Sequence, residues 1–384
     1  MFSNLKQTRR RFMISLLMCY LSIKGKINFL QLSRFSECCE QYFRINFENR
    51  FNFQKFNFTL ISMQKIKECI VAFDPSYIPK SGKSTFGTGY FWSGCAKKAK
   101  WGLDICGFAV VDILRNTAFH LNAIQTPHLE NITLIDYYCR IITENFMYFK
   151  ELSAYLVADA YFSKKKVVDT VISLGMHFIS RLRDDASMRY IYKGEYSGSG
   201  APKKYDGKIN PHSPDMNHFH KALDSNDIKI YSAIVYYGAF ERKINLAIAV
   251  FYKNGKEIAR KLYFSTDLEQ DAVKIVRYYR SRFQIEFLYR DAKQHCALNS
   301  SQARSENKLD MHFNAALTAV NLAKCEHWAS CENEKRPFSM ADYKTMYHNE
   351  LLMTVFFRRL GMNPNSIKNK QIIDELRRYG TIAA

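Results

Sequence analysis

Acidic side chains standing where burial disfavours them are the first chemistry legible in this chain. Asp74 ends the apolar run "IVAF", and Asp159 ends "AYLVA". A carboxylate at the end of a buried strand carries a desolvation cost unless a cation offsets it. If the two strands are neighbours, two carboxylates meet at one sheet edge, an arrangement suited to Mg²⁺ or Mn²⁺. Taken singly, each aspartate also reads as a turn-former. The stretch "IVAFDPSYIPKSGKSTFG" offers a rival chemistry, a phosphate-cradling loop around Gly82 and Lys83. Such a loop needs an earlier glycine with four residues intervening, and that position is Tyr77. Pro79 also removes a backbone amide the cradle would use, so the acid and not the loop carries the chemistry.

A third acid comes from "YYRSRFQIEFLYRDAK". On one continuous helix Arg282, Glu286 and Lys293 fall within roughly 60° of Tyr279, along about 21 Å of axis. An aromatic, two cations and a carboxylate then share a stripe, while Asp291 points about 120° away and is the weaker candidate. An ordinary solvated face with an Arg282–Glu286 pair is the plain alternative.

The elements that must position these residues follow from periodicity. Residues 1–64 read as short helices: one over Arg11–Ile23, then two within "FLQLSRFSECCEQYFRINF", with Ser36 as N-cap of the last. With Arg34, Arg44 and Arg50 nearby they suit either a helix-turn-helix DNA reader or a plain helical subdomain. Residues 65–184 give three strands ("CIVAFD", "WGLDICGFAVVD", "TAFHLNAIQT"), a helix near 131–150, the strand "AYLVAD", a helix opened by Ser163 and the strand "HFISRL". That order predicts a mixed α/β sheet flanked by helices. Residues 185–264 read as a β-rich insertion, 265–330 carry a long helix over 268–296, and 331–384 are helical.

Bulk properties limit the partners. The 384 residues include 56 basic and 36 acidic ones, a formal net charge of +20, spread along the whole length. Dispersed positive charge of this size suits a long polyanion better than a small acidic substrate. Ten cysteines without a Cys-x-x-Cys, among them Cys69, Cys106 and Cys139 in apolar surroundings, read as reduced thiols of a cytosolic protein. "TRRRFMISLLMCYLSI" imitates an export signal but lacks a small-x-small cleavage site and is too short to span a bilayer, so it is expected to be an ordinary amphipathic helix. His212, His218 and His220 with Asp215 and Asp224 lack zinc spacing, and Cys325, His327 and Cys331 lack a partner pair.

Two strand-end aspartates, a β insertion, and then Tyr-x2-Arg-x3-Glu-x6-Lys at Tyr279, Arg282, Glu286 and Lys293 resemble the DDE transposases of bacterial insertion sequences, in the group with the YREK signature. The similarity covers residues 65–325, through "FDPSYIPKSGK", "VADAYF", "STDLE" and "YYRSRFQIEFLYRDAKQH". It implies an RNase H-like sheet with the first Asp on the first strand, the second just after the fourth, and the Glu on a late helix: Asp74, Asp159 and Glu286. These would hold two divalent ions, one activating water or a 3′-hydroxyl and one stabilising the leaving oxygen. Arg282 and Lys293 would position phosphates, and Tyr279 would contact a phosphate beside a base turned out of the duplex. Trp92 or Trp101 would stack on that base, with core burial as the competing role. Lys80 and Lys83 would touch the DNA backbone or serve as simple surface charge. The implied partners are double-stranded DNA, as terminal inverted repeats and target, and a second copy in a homodimer, without a membrane, in the cytoplasm at the nucleoid. Two rivals share the residues: a metal-dependent nuclease of the same fold without strand transfer, and a catalytically dead DNA-binding element product.

Overall fold

The computed structural model describes residues 5–382 apart from 197, 199 and 330–336. Helices α1 (Gln7–Ser22), α2 (Phe29–Arg34), α3 (Glu40–Asn46) and α4 (Phe53–Ser62) come first. Strands β1 (Cys69–Pro79), β2 (Gly89–Ser93), β3 (Lys98–Asp112) and β4 (Thr117–Gln125) follow, then α5 (Leu134–Leu152), β5 (Tyr155–Val157), α6 (Lys165–Ser173) and β6 (His177–Leu182). The β-rich stretch holds β7 (Met188–Ile191), β8 (Tyr205–Lys208), β9 (His220–Asp224), β10 (Ile228–Tyr237), β11 (Arg242–Lys253) and β12 (Lys256–Ser265). Helices α7 (Ala272–Ser281), α8 (Gln284–His295), α9 (Glu306–Ala329), α10 (Met340–Arg359) and α11 (Ile367–Arg377) complete the fold. It is the mixed α/β architecture with sheet and flanking helices that an RNase H-like chain requires.

The chain divides into two compact units. The first comprises Met1–Lys67, Pro75–His128 and Gln284–Ala384; the second comprises Glu68–Asp74 and Leu129–Phe283. In the second unit the strand order is β1, β5, β6, β12, β11, β10, β7, β8, with β9 on β10. β1, β5 and β6 are parallel, and from β6 onward each pairing is antiparallel. Ile70, Val71, Ala72 and Phe73 are fully buried, the unbroken apolar run expected of a parallel strand covered on both faces. The stretch 185–264 continues the same sheet, because β12 bonds directly to β6.

In the first unit β2 and β4 each pair with β3, and Pro75–Pro79 of β1 belong to the same unit. Gly102 is needed there: a Cβ would lie 2.6 Å from Ile78 O and from the Tyr77 ring. The outer edge of β4 is completed by side chains of α9. Asn321 accepts from His120 N and donates to His120 O, both at 2.7 Å. Asn314 does the same to Ala123 at 2.9 Å, and Lys324 Nζ donates to Ala118 O at 2.6 Å. A strand edge that would otherwise expose unpaired amides is thereby closed by a helix.

Several sequence expectations need correction. A fourth N-terminal helix, α4, and an edge strand, β2, were not foreseen, so β5 is the fifth strand in chain order. Ser36 does not cap α3, whose N-cap is Cys39 without a side-chain bond; it donates to Leu32 O and accepts from Cys38 N. Ser163 does not open α6 either; its hydroxyl donates across to Arg181 O. The expected helix over 268–296 is two helices: at Arg282 and Phe283 the amides bond tighter, Phe283 N reaching Arg280 O at 3.3 Å, and α8 restarts at Gln284. Trp92 is no core residue but 67% exposed. The run resembling an export signal is α1, which packs on α9 and α10 and whose Phe12, Met13, Leu16, Leu17 and Tyr20 are buried. Among the described residues no helix is long and apolar enough to cross a membrane. Cys331 and the rest of 331–336 lie outside the described residues.

Candidate active site

The register of β1 and β5 decides where the aspartates stand. Val71 lies opposite Leu156 and Ala72 opposite Val157. Asp74 and Asp159 each follow that last pair by two residues, which carries both to the same level and the same face of the sheet. Asp74 does not terminate its strand, as β1 runs on to Pro79. Asp159 lies just past β5 and caps a 3-10 turn over Ala160–Phe162, its Oδ1 accepting from Tyr161 N at 3.0 Å. That turn is fixed from the opposite side by rings: Phe162 packs 5.0 Å from Phe73 and 5.3 Å from Tyr138. Phe73 and Asp74 thus divide the labour of adjacent strand positions, one anchoring the turn and the other facing the site.

Burial pushes the Asp159 carboxyl above its ordinary range, against the lowering effect of Arg282. Arg282 Nη1 donates to Asp74 Oδ1 at 3.0 Å, with both side chains largely covered. The cation arrives at the end of α7, whose start is capped by Asp271 accepting from Lys274 N at 2.8 Å. The "STDLE" segment launches this helix and is structural: Asp267 accepts from Tyr155 OH at 2.7 Å, and Asn245 donates to Gln270 O at 2.7 Å. α7 packs across β6, β10, β11 and β12, burying Ile275, Val276 and Tyr278. Tyr279 rests on Tyr263 with ring centroids 5.0 Å apart, and the Arg282 guanidinium lies 5.9 Å from its ring. Burial raises the Tyr279 hydroxyl pKa, so it remains a proton donor. Tyr263 was missed in the sequence, where nothing sets it apart from other aromatic strand residues.

Glu286 and Lys293 belong to the first unit, on α8. The break at Arg282–Phe283 means that a single helical rotation does not relate them to Tyr279. Glu286 is half-buried in the first turn. Lys293 Nζ donates to Ser76 Oγ at 2.9 Å and to Tyr77 O at 3.1 Å, both in the part of β1 that belongs to the first unit. α8 is seated by Tyr289, whose hydroxyl fills the space where a side chain at Gly107 would stand. Asp291 is buried and paired with Arg290. Lys80 Nζ donates to Ser301 O at 2.6 Å and Ala303 O at 3.1 Å, and burial lowers its pKa; Lys83 is exposed. Arg44 pairs with Glu40, and Arg50 with Glu306 and Asn307, so two of the three N-terminal arginines are engaged within their own unit. His218 approaches Asp206 at 3.2 Å and stacks on Tyr190.

Among the described residues no three His, Cys, Asp or Glu side chains already form a metal-binding group. Two carboxylates at one level of the sheet, one desolvated and one held by a cation, nonetheless suit hard, oxygen-seeking ions. Arg282 offsets the negative charge of Asp74 in this arrangement.

No curated protein matches the chain. The family model described as Transposase DDE domain matches residues 128–322, a span that contains Asp159, Tyr279, Arg282, Glu286 and Lys293 and begins after Asp74. With half of its length matched in this way, and with one aspartate on β1 and the other just past its parallel neighbour β5, the chain belongs to the DDE transposase family.

Proposed function

We propose that the protein binds the terminal inverted repeats of an insertion sequence and catalyses cut-and-paste cleavage and strand transfer, as a member of the YREK-signature group. The observation that carries this reading is the common level of Asp74 and Asp159 beneath Arg282 and Tyr279. Glu286 is assigned as the third acid of the motif. These carboxylates would hold two Mg²⁺ or Mn²⁺ ions, which would supply Lewis acidity for in-line attack on phosphorus. On binding metal Asp74 would give up its bond to Arg282, whose guanidinium would then be available to a DNA phosphate. Tyr279, kept protonated, donates to a phosphate, and Lys293 provides a second cation. Lys80 holds the loop at 301–303, while Lys83 is available to the DNA backbone. Trp92, exposed, is better disposed to stack on an extruded base than Trp101, whose Nε1 donates to Gly82 O. A homodimer would bring two ends together.

The test is cleavage and joining of labelled duplexes carrying the DNA that flanks the gene. Asp74→Ala, Asp159→Ala and Glu286→Ala should each lower cleavage by about three orders of magnitude or more, with end binding retained. Cleaved ends without joined product would reassign the protein as a nuclease. Equal behaviour of wild type and Asp159→Ala in every cleavage assay would reduce it to a DNA-binding product.

A further inference from the structure

The row that holds the aspartates does not stop at β5. β6 pairs in parallel with β5, Ile179 opposite Val157, so Arg181 lies two residues past that pair, as Asp159 does. Across the next pairing Arg181 stands directly opposite Tyr263, whose ring supports Tyr279. One transverse line across the second unit therefore reads Asp74, Asp159, Arg181, Tyr263. Arg181 is also locally anchored. Ser180 Oγ donates to Asp159 O at 2.8 Å, Ser163 Oγ donates to Arg181 O at 2.8 Å, and the two hydroxyls lie 3.0 Å apart. This hydroxyl bridge ties the Asp159 turn to the strand of Arg181.

The guanidinium itself is under-used. Its Nε is buried without a hydrogen-bond partner among the described residues, and its nearest carboxylate, Asp184, is 3.9 Å away and 66% exposed. A half-covered arginine with a donor to spare, in register with the Asp159 position and acting on a protonated tyrosine, matches the planar fork that recognises phosphate. Arg181 also acts electrostatically on both Tyr263 and Tyr279.

We propose that Arg181 is a further phosphate-contacting residue of the transposase, gripping the DNA backbone on the side of Asp159 away from Asp74. The assignment rests on the proposed function above. It adds a phosphate contact beyond the four residues of the helical signature, and sequence spacing gives no hint of it.

The experiment measures binding of a labelled duplex carrying the gene-flanking sequence, as log K against log salt, for wild type and the variants Arg181→Ala, Arg181→Gln and Arg181→Lys. Thermal melting is recorded in parallel. Loss of one phosphate contact should reduce the slope by about 0.9 and weaken binding about 10-fold in the Ala and Gln variants. Arg181→Lys should keep the slope while losing cleavage rate, since it retains charge but not the fork. Should Arg181→Ala fail to fold, the Gln and Lys pair decides the matter. An unchanged slope in Gln and Ala, with or without a lower Tm, would leave Arg181 a structural residue and overturn the assignment. A wild type that neither binds nor cleaves the duplex would instead overturn the functional reading on which the assignment stands.

Discussion

At the scale of single residues, Asp159 combines two demands. It caps a turn through Tyr161 N and yet presents a desolvated carboxylate beside Asp74. Because burial raises its pKa, the folded chain resists its ionisation. That resistance costs stability as pH rises from the ordinary aspartate value, near 4, and is complete above the raised one. Asp159→Asn keeps the capping oxygen and removes the charge. In metal-free buffer its Tm should exceed that of wild type at pH 7 by about 1–3 °C. The gap should shrink as pH is lowered towards 4; a constant gap would mean that the carboxylate is not strained by burial. The aspartates were legible because a charge ending an apolar run is conspicuous. Tyr263 and Arg181 were not, because strand pairings that the primary order does not disclose bring them level with the acids.

Among the elements, the parallel trio β1, β5 and β6 sets the site, and its turn depends on an aromatic wedge. Phe73, Tyr138 and Phe162 are all buried and in mutual contact. Phe73→Ala should lower stability by about 3–5 kcal/mol, read by urea unfolding, and reduce cleavage through the loosened Asp159 turn. A loss below about 1 kcal/mol would show that the wedge is dispensable. The sequence displayed these strands through their apolar runs, and β6 was read with its observed limits. It did not display the interruption at Arg282–Phe283, since all residues from Tyr278 to His295 are compatible with helix and no Gly or Pro marks the break. Ser36 and Ser163 misled for a related reason: a hydroxyl near a helix start looks like a cap whether it bonds to the helix or elsewhere.

For the whole molecule, a net charge of +20 predicts binding dominated by phosphate neutralisation. Raising salt from about 50 to 200 mM should weaken end binding by about 10³-fold or more, measured by gel shift or fluorescence anisotropy. A nearly flat dependence would place the charge away from the DNA. The division of the chain assigns Asp74, Asp159, Tyr279 and Arg282 to one unit and Glu286 and Lys293 to the other. Motif order in the sequence singles out these six residues but does not show that the boundary passes between Phe283 and Gln284.

The seam between α9 and β4 has a consequence of its own. Asn314 and Asn321 are seven helical residues apart, a climb of about 10.5 Å. Their partners Ala123 and His120 are three strand residues apart, about 10 Å. The two lattices coincide there, so the helix can neither slide nor roll by one position without orphaning amides on both sides. Asn321→Leu should therefore cost about 2–4 kcal/mol despite being apolar for buried. Like a key cut for two wards, this helix is indexed to the border of the sheet, and it gives the chain a fixed ruler against which everything hung on β3 and β4 is aligned.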